Sequence, residues 1–201
     1  PKVDLLRDYR LRSRDPVLSV LRYRVESDKD IVRDVELPGW IRKRETALPE
    51  NDNPRIRAYA QALLKEHGEA RLMVQAMMLA LEQGFTYTLK PPRLPRQNAI
   101  DALWFDTRAG FCSHFAGAVV FALRAVGIPA RMVGGYQGGE INPVTGHMVV
   151  RQYLAHAWVE YWVPGRGWVR IDPTSAVAPE RVESGLGAAL SSTDLATLSL
   201  L

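Results

Sequence analysis

Thr107-Arg108-Ala109-Gly110-Phe111-Cys112-Ser113-His114-Phe115-Ala116-Gly117-Ala118-Val119-Val120-Phe121-Ala122-Leu123-Arg124-Ala125-Val126-Gly127-Ile128-Pro129 is the stretch on which the fold turns. From 113 to 126 apolar side chains (Phe115, Val119, Val120, Phe121, Leu123, Val126) fall on nearly every side of a helix. A helix of that kind is central and buried. Gly127 stops it and Pro129 forbids its continuation. Beyond Ala130 the pattern changes to short extended runs at 131–136, 148–153, 156–163 and 168–172, separated by Gly and Pro. Pro164-Gly165-Arg166-Gly167 reads as a hairpin turn between the last two runs. The expected fold class is therefore α+β, with one buried helix packed on an antiparallel sheet.

Working upstream, Ile56, Tyr59, Ala60, Leu63 and Leu64 recur at helical spacing, with Asn53 as N-cap and Pro54 at the first helical position. A second stripe follows in Leu72, Met73, Ala76, Met77, Ala80 and Leu81 and stops at Gly84. The methionines Met73, Met77 and Met78 read as core filler. Residues 85–89 look extended. In the first 50 residues Leu21, Tyr23 and Val25 alternate with charged neighbours, which predicts a strand with residues 31–37 as its partner. The chain thus reads as a β-rich extension over 1–50, a core over 51–180 and a tail or linker over 181–201.

Composition narrows the function classes. The 201 residues carry a formal charge of +4, with 47% apolar residues. This is ordinary for a globular chain. The longest apolar run, 115–123, falls far short of the roughly 20 residues that span a bilayer. Basic residues such as Arg7, Arg10, Arg12 and Arg14 are not interleaved with stacking aromatics, which argues against nucleic acid. One cysteine and four scattered histidines do not make a zinc site, and no phosphate-binding loop is present. A chain starting at Pro1 with no signal segment is expected to be a piece of a longer protein.

Cys112 is then the centre of interest. A thiol at a helix start ionises more readily, because unpaired N–H groups and the helix dipole favour an anion. Gly110 leaves room there for backbone or substrate. A histidine on a rigid strand, His156, supplies a base. Asp172, at the end of the partner strand and before Pro173, supplies a carboxylate to fix the imidazole. A turn centred on Pro164 sets Asp172 opposite His156; one centred between Gly165 and Arg166 leaves them about three residues out of register. His114 is read as a packing or supporting residue, since two positions after Cys112 it points elsewhere. His67 is a favourable helix-end residue, and His147 receives no role.

These segments, with Asp101-Ala102-Leu103-Trp104-Phe105-Asp106, Gly134-Gly135-Tyr136, His156-Ala157-Trp158-Val159-Glu160 and Asp172-Pro173-Thr174, resemble the bacterial transglutaminase-like superfamily from about residue 50 to 185. The resemblance is to the extracytoplasmic domains of its membrane-anchored members. It implies a papain-like fold and a Cys112–His156–Asp172 triad. It implies acyl transfer from a Gln carboxamide through a Cys thioester to an amine acceptor, with cell-envelope molecules as the expected substrates. It implies no metal or organic cofactor, and a bacterial inner-membrane parent with this segment on the periplasmic side. Two alternatives stay open: hydrolysis by the same triad, as a cysteine protease or amidase, and an inactive peptide-binding module. The oxyanion is expected to rest on the Cys112 N–H and a second donor among Tyr87, Gln97 and Trp104.

Overall fold

The computed structural model describes residues 2–6, 10–24, 26, 32 and 34–183. The chain divides into two units, residues 1–31 and 32–201. In the first, β1 (Val3–Leu5) pairs antiparallel with β2 (Leu11–Ser13), Asp4 lying across from Arg12. Arg14 Nε donates to Asp4 Oδ1 at 2.8 Å. The strand predicted around Leu21 and Tyr23 is not formed among the described residues there. Its predicted partner is not formed either at residues 32 and 34–37; residues 31 and 33, and residues 184–201 of the predicted tail, lie outside the described residues.

The second unit begins well before residue 51. Helix α1 (Gly39–Glu45) follows Pro38 inside the block read as β-rich. Glu45, 6% exposed, pairs with Arg124, whose Nε also donates to Ala130 O at 2.7 Å. Trp162 Nε1 and Trp168 Nε1 donate to the carbonyl and carboxylate of Asp34. These contacts bind residues 34–47 to the core, which is why the unit does not stop at the family-like segment.

Helices α2 (Pro54–His67) and α3 (Ala70–Gly84) follow, close to the predicted spans. Their apolar stripes bury Ile56, Ala60, Leu63, Met73, Val74, Met77 and Leu81. β3 (Thr86–Tyr87) is a short extended piece. α4 (Ala99–Asp101) leads directly into a π-helical turn, Ala102–Thr107. Asn53 does stand at the start of α2 before Pro54, but its side chain does not cap its own helix. Its Oδ1 accepts from Ile100 N and Asp101 N at 2.8 and 3.0 Å, while the Asp101 carboxylate accepts from Arg55 N and Ile56 N at 2.9 and 2.8 Å. The two helix starts cap each other. Asp101→Ala strands two N–H groups at a 3%-exposed position and should cost about 2 kcal/mol or more. Denaturant unfolding measures this; an unchanged midpoint would show the mutual cap to be dispensable.

β4 (Ala109–Gly110) pairs in parallel with β3 and delivers the chain to α5 (Cys112–Ala125). Phe115, Ala116, Ala118, Val119, Ala122 and Leu123 of α5 are fully or almost fully buried. The helix packs on α2, α3 and the sheet, as its all-round apolarity predicts. The sheet is β5 (Ala130–Tyr136), β8 (Ala155–Val163) and β9 (Gly167–Ile171), antiparallel in the order β5-β8-β9; β6 (Glu140–Ile141) and β7 (Met148–Val149) form a separate hairpin. The run predicted as a strand over 148–153 is strand only at Met148–Val149; a 3₁₀ turn takes residues 152–154. α6 (Thr174–Val177) and α7 (Pro179–Glu183) complete the described chain. Arg181, where the sequence reading begins a tail, is instead 1% exposed.

Candidate active site

The turn before α5 is built to present Cys112. Phe111 enters extended, at φ −129° and ψ −178°, and its N–H donates to His114 Nδ1 at 3.4 Å. His114 stands edge-on to the Phe111 ring at 4.2 Å. Burial pushes the His114 imidazolium down, which keeps the ring neutral and its nitrogen able to accept. A Cβ at Gly110 would lie 2.9 Å from His114 Cβ, so glycine is what lets this histidine fold back. His114 is thus a support for the turn, as expected from its spacing, and not a partner of the thiol.

β8 begins one residue before His156, which is paired with Gly135 of β5 and 4% exposed. β9 pairs with β8 so that Val163 faces Gly167 and Val159 faces Ile171. The turn is therefore centred on Gly165, at φ 72°, between the two centres considered from sequence. Asp172 follows the last paired residue and, continuing that register, comes level with Trp158, two positions from His156. Two positions keep it on the same face, whereas a shift of three would have turned it away. Asp172 Oδ2 meets His156 Nε2 at 2.7 Å. Asp172 Oδ1 accepts from Thr174 N at 3.0 Å, and Asp172 O accepts from Ser175 N and Oγ. The residue caps the turn into α6 and reaches the imidazole at once.

With Nε2 occupied, His156 Nδ1 is buried with no hydrogen-bond partner. The Cys112 thiol is the other neighbour whose presence favours the protonated ring. Burial disfavours charge on both residues. For Cys112 the neighbouring His156 and the backbone N–H groups of Ala157 and Ser113 outweigh burial and bring the thiol below its ordinary value. For His156 burial is outweighed by Asp172 and then Cys112, and its pKa is raised to about 9. Below that value the imidazole holds a proton beside an acidified thiol, the setting for a thiolate–imidazolium pair whose titration belongs to the pair.

Trp158 stacks on His156 with ring centroids 6.3 Å apart, and the Arg170 guanidinium lies over the Trp158 ring at 4.2 Å. A Cβ at Gly135 would stand 2.6 Å from Trp158 Cη2, while one at neighbouring Gly134 meets nothing within 4 Å. Gly135→Ala should therefore displace Trp158 and cost about 1–3 kcal/mol, with Gly134→Ala nearly silent. Equal unfolding midpoints for the two variants would show that the tryptophan is not held by this contact. Trp162 and Trp168 are engaged with Asp34, with Arg42 and Arg131 over their respective rings; they tie residues 34–42 to the sheet.

Of the three oxyanion candidates, Tyr87 shares its surroundings with Cys112 and Asp172, and a hydrogen bond joins it to Arg181. Trp104 is 3% exposed among Tyr59 and Phe85. Gln97 is exposed in the loop before α4. Sequence reading missed Arg181; the helix-starting Pro179 just before it was the available signal. Among the described residues no three His, Cys, Asp or Glu side chains gather as a metal site would require.

A thiol at a helix start, an imidazole and a carboxylate in line on an α+β scaffold define a cysteine-nucleophile domain of the papain-like kind. Residues 57–173 match the transglutaminase-like superfamily, and the chain belongs to that superfamily. It is 48% identical over 187 residues to a protein-glutamine gamma-glutamyltransferase of Pseudomonas aeruginosa, covering 92% of this chain and 28% of that protein. It is 35% identical over 138 residues to the uncharacterized protein YebA of Bacillus subtilis, covering 65% of this chain and 19% of YebA. The chain thus spans less than a third of either relative. The crystal structure of the periplasmic domain of TgpA from Pseudomonas aeruginosa superposes with a TM-score of 0.90 at 47% identity, covering 94% of this chain and 65% of that one. A second structure of that domain, bound to ethylmercury, gives a TM-score of 0.87 at 47% identity over 90% of this chain and 65% of that one.

Proposed function

We propose that this chain is the catalytic domain of a protein-glutamine gamma-glutamyltransferase, with Cys112 as nucleophile, His156 as acid and base, and Asp172 as the residue that orients the imidazole. The observation that carries the reading is the contact Asp172 Oδ2–His156 Nε2, 2.7 Å long, on an imidazole whose presence lowers the pKa of the Cys112 thiol. The Cys112 thiolate attacks the carboxamide carbon of a Gln side chain. The His156 imidazolium gives its proton to the departing nitrogen, ammonia leaves, and a thioester remains. A Lys or other primary amine then attacks, His156 takes its proton, and the thiolate departs as an isopeptide bond forms. The Cys112 N–H, at the helix start, faces the developing oxyanion.

The similarity to the Pseudomonas protein and to the periplasmic domain of TgpA supports placing this domain on the periplasmic side of an inner-membrane protein. Among the described residues no helix is long and apolar enough to cross a membrane. Envelope peptides bearing Gln and amine groups are the substrates that such a location favours. The deciding experiment offers a Gln peptide with and without a primary amine and resolves the products by mass. An amine-dependent isopeptide supports transfer. Glu product alone, at every amine concentration, would make the domain a hydrolase.

The pH profile follows from the same pair. Activity needs Cys112 ionised and His156 protonated, so it should rise as the thiol ionises, below its ordinary value, and fall as pH passes about 9. Asp172→Asn removes the carboxylate that raises His156 most. The imidazolium then loses its proton at lower pH and the thiol ionises at higher pH, so the window narrows from both sides. Turnover should drop by roughly 10²–10⁴ by analogy with a serine triad, and an amide at this position can soften the loss. Superimposable alkylation profiles and equal turnover for the two proteins would leave Asp172 as a turn residue before Pro173.

A further inference from the structure

We propose that Tyr87 supplies the second oxyanion donor of the Cys112 site and that Arg181 is the positioning residue that holds its hydroxyl there. The inference deepens the acyl-transfer reading and rests on it. It comes from a residue outside the stretch that matches the superfamily, which ends at residue 173.

Tyr87 is fixed beside the nucleophile by backbone. Thr86 N donates to Arg108 O at 2.9 Å and Thr88 N to Gly110 O at 2.8 Å. This parallel bridge sets Tyr87 across from Gly110, two residues before Cys112. The phenol lies among Cys112, Asp172 and Arg181 and accepts a hydrogen bond from the Arg181 guanidinium. Burial and then the neighbouring Cys112 push its pKa up, and Arg181 opposes them without cancelling the rise, so the hydroxyl keeps its proton through the working range.

Arg181 is the unusual part. It is the largest fully buried side chain in the described structure, and its Nε and Nη1 have no hydrogen-bond partner. Among the described residues no carboxylate forms an ion pair with it. A guanidinium kept dry without an anion is unfavourable, and such groups persist where function uses them. α6 packs against β3 and α5, so α7, directly after it, carries the cation to the back of the tyrosine. Phenolic oxygen both accepts and donates. With its acceptor side taken by a cation, the O–H points its proton away from Arg181 and becomes a stronger donor. The unmatched positive charge gains its anion when the tetrahedral oxygen forms, which is the condition for stabilising the transition state more than the ground state.

The test uses the 201-residue chain and two probes of Cys112. Iodoacetamide alkylation across pH reports the thiolate–imidazolium pair and needs no oxyanion. Acylation by p-nitrophenyl acetate forms an oxyanion and needs neither the natural donor nor the acceptor. Tyr87→Phe should slow acylation by about 10²–10³ through kcat, with KM and the alkylation profile unchanged. Arg181→Met should slow it by a smaller factor, and Arg181→Lys should recover part of that loss. In the Tyr87→Phe background Arg181→Met should do nothing further, because it acts through the tyrosine. Arg181 can also hold the fold, so thermal unfolding is followed in parallel. If Arg181→Met does not fold, Arg181→Lys with Tyr87→Phe carries the same comparison. Wild-type acylation rates in Tyr87→Phe, or losses that multiply in the double variant, would overturn the inference and leave the triad standing. A wild-type chain whose Cys112 neither alkylates rapidly nor acylates would overturn the triad reading itself, and this inference with it.

Discussion

Cys112→Ala is expected to remove turnover altogether while leaving a folded protein. Cys112 is the one thiol in the chain, so no other residue can form the thioester. In a serine triad, loss of the nucleophile costs on the order of 10⁶ in kcat, and a comparable loss would put this variant below detection. The structural cost is small. Cys112 is half-buried at the first position of α5, cross-links nothing, and is replaced by a smaller good helix former. The stability change should stay at about 1 kcal/mol or less. Ammonia release from a Gln peptide, with and without amine, measures the first quantity, and a denaturant titration the second. Retained turnover in the alanine variant would place the nucleophile elsewhere.

His156→Ala is expected to fall as far, with a different signature. The imidazole both sets the thiolate and moves every proton, so its loss and that of Cys112 should not multiply. The double variant should be no worse than either single one. Unlike Cys112→Ala, this variant still carries the thiol. Without its largest ionising partner Cys112 should alkylate slowly at neutral pH and regain speed only toward its ordinary thiol range. Removal also strands Asp172 Oδ2, a partly buried carboxylate oxygen, so a stability loss of about 1–3 kcal/mol is expected. Rapid neutral-pH alkylation in His156→Ala would show that the helix start alone ionises the thiol.

Much of this site could be read before the fold was known, because its members sit on elements with strong local signals. The all-round apolar helix from Cys112 and the extended runs at 156–163 and 168–172 are patterns of one chain segment at a time. What escaped was long-range or hydrogen-bonded. The cap of α2 comes from Asp101, 46 residues from Arg55, and no local rule links them. Arg181 looked like the start of a tail because it is a charged residue near a small, polar terminus. Its burial is decided by α6 folding back on β3. Helix α1 was hidden in a block whose alternation pointed to strands, and its place depends on Glu45 meeting Arg124.

By itself the sequence determined which residue types stand at which element ends: a thiol where a helix begins, an imidazole where a strand begins, a carboxylate where the next strand ends. Periodicity and punctuation by Gly and Pro fix those, since they act over a few residues. Only the tertiary structure decided that His156 Nε2 and Asp172 Oδ2 meet, at 2.7 Å. That depended on a turn centred on Gly165, which leaves Asp172 two residues along from His156 and on its face. A turn centred half a residue away would have turned the Asp172 carboxylate to the opposite face of the sheet from His156, because side chains alternate with a period of two. The same packing brought Tyr87 and Arg181 together from positions 94 residues apart in the chain. Contacts at that separation are set by the shape of the whole core, and no window of sequence contains both ends.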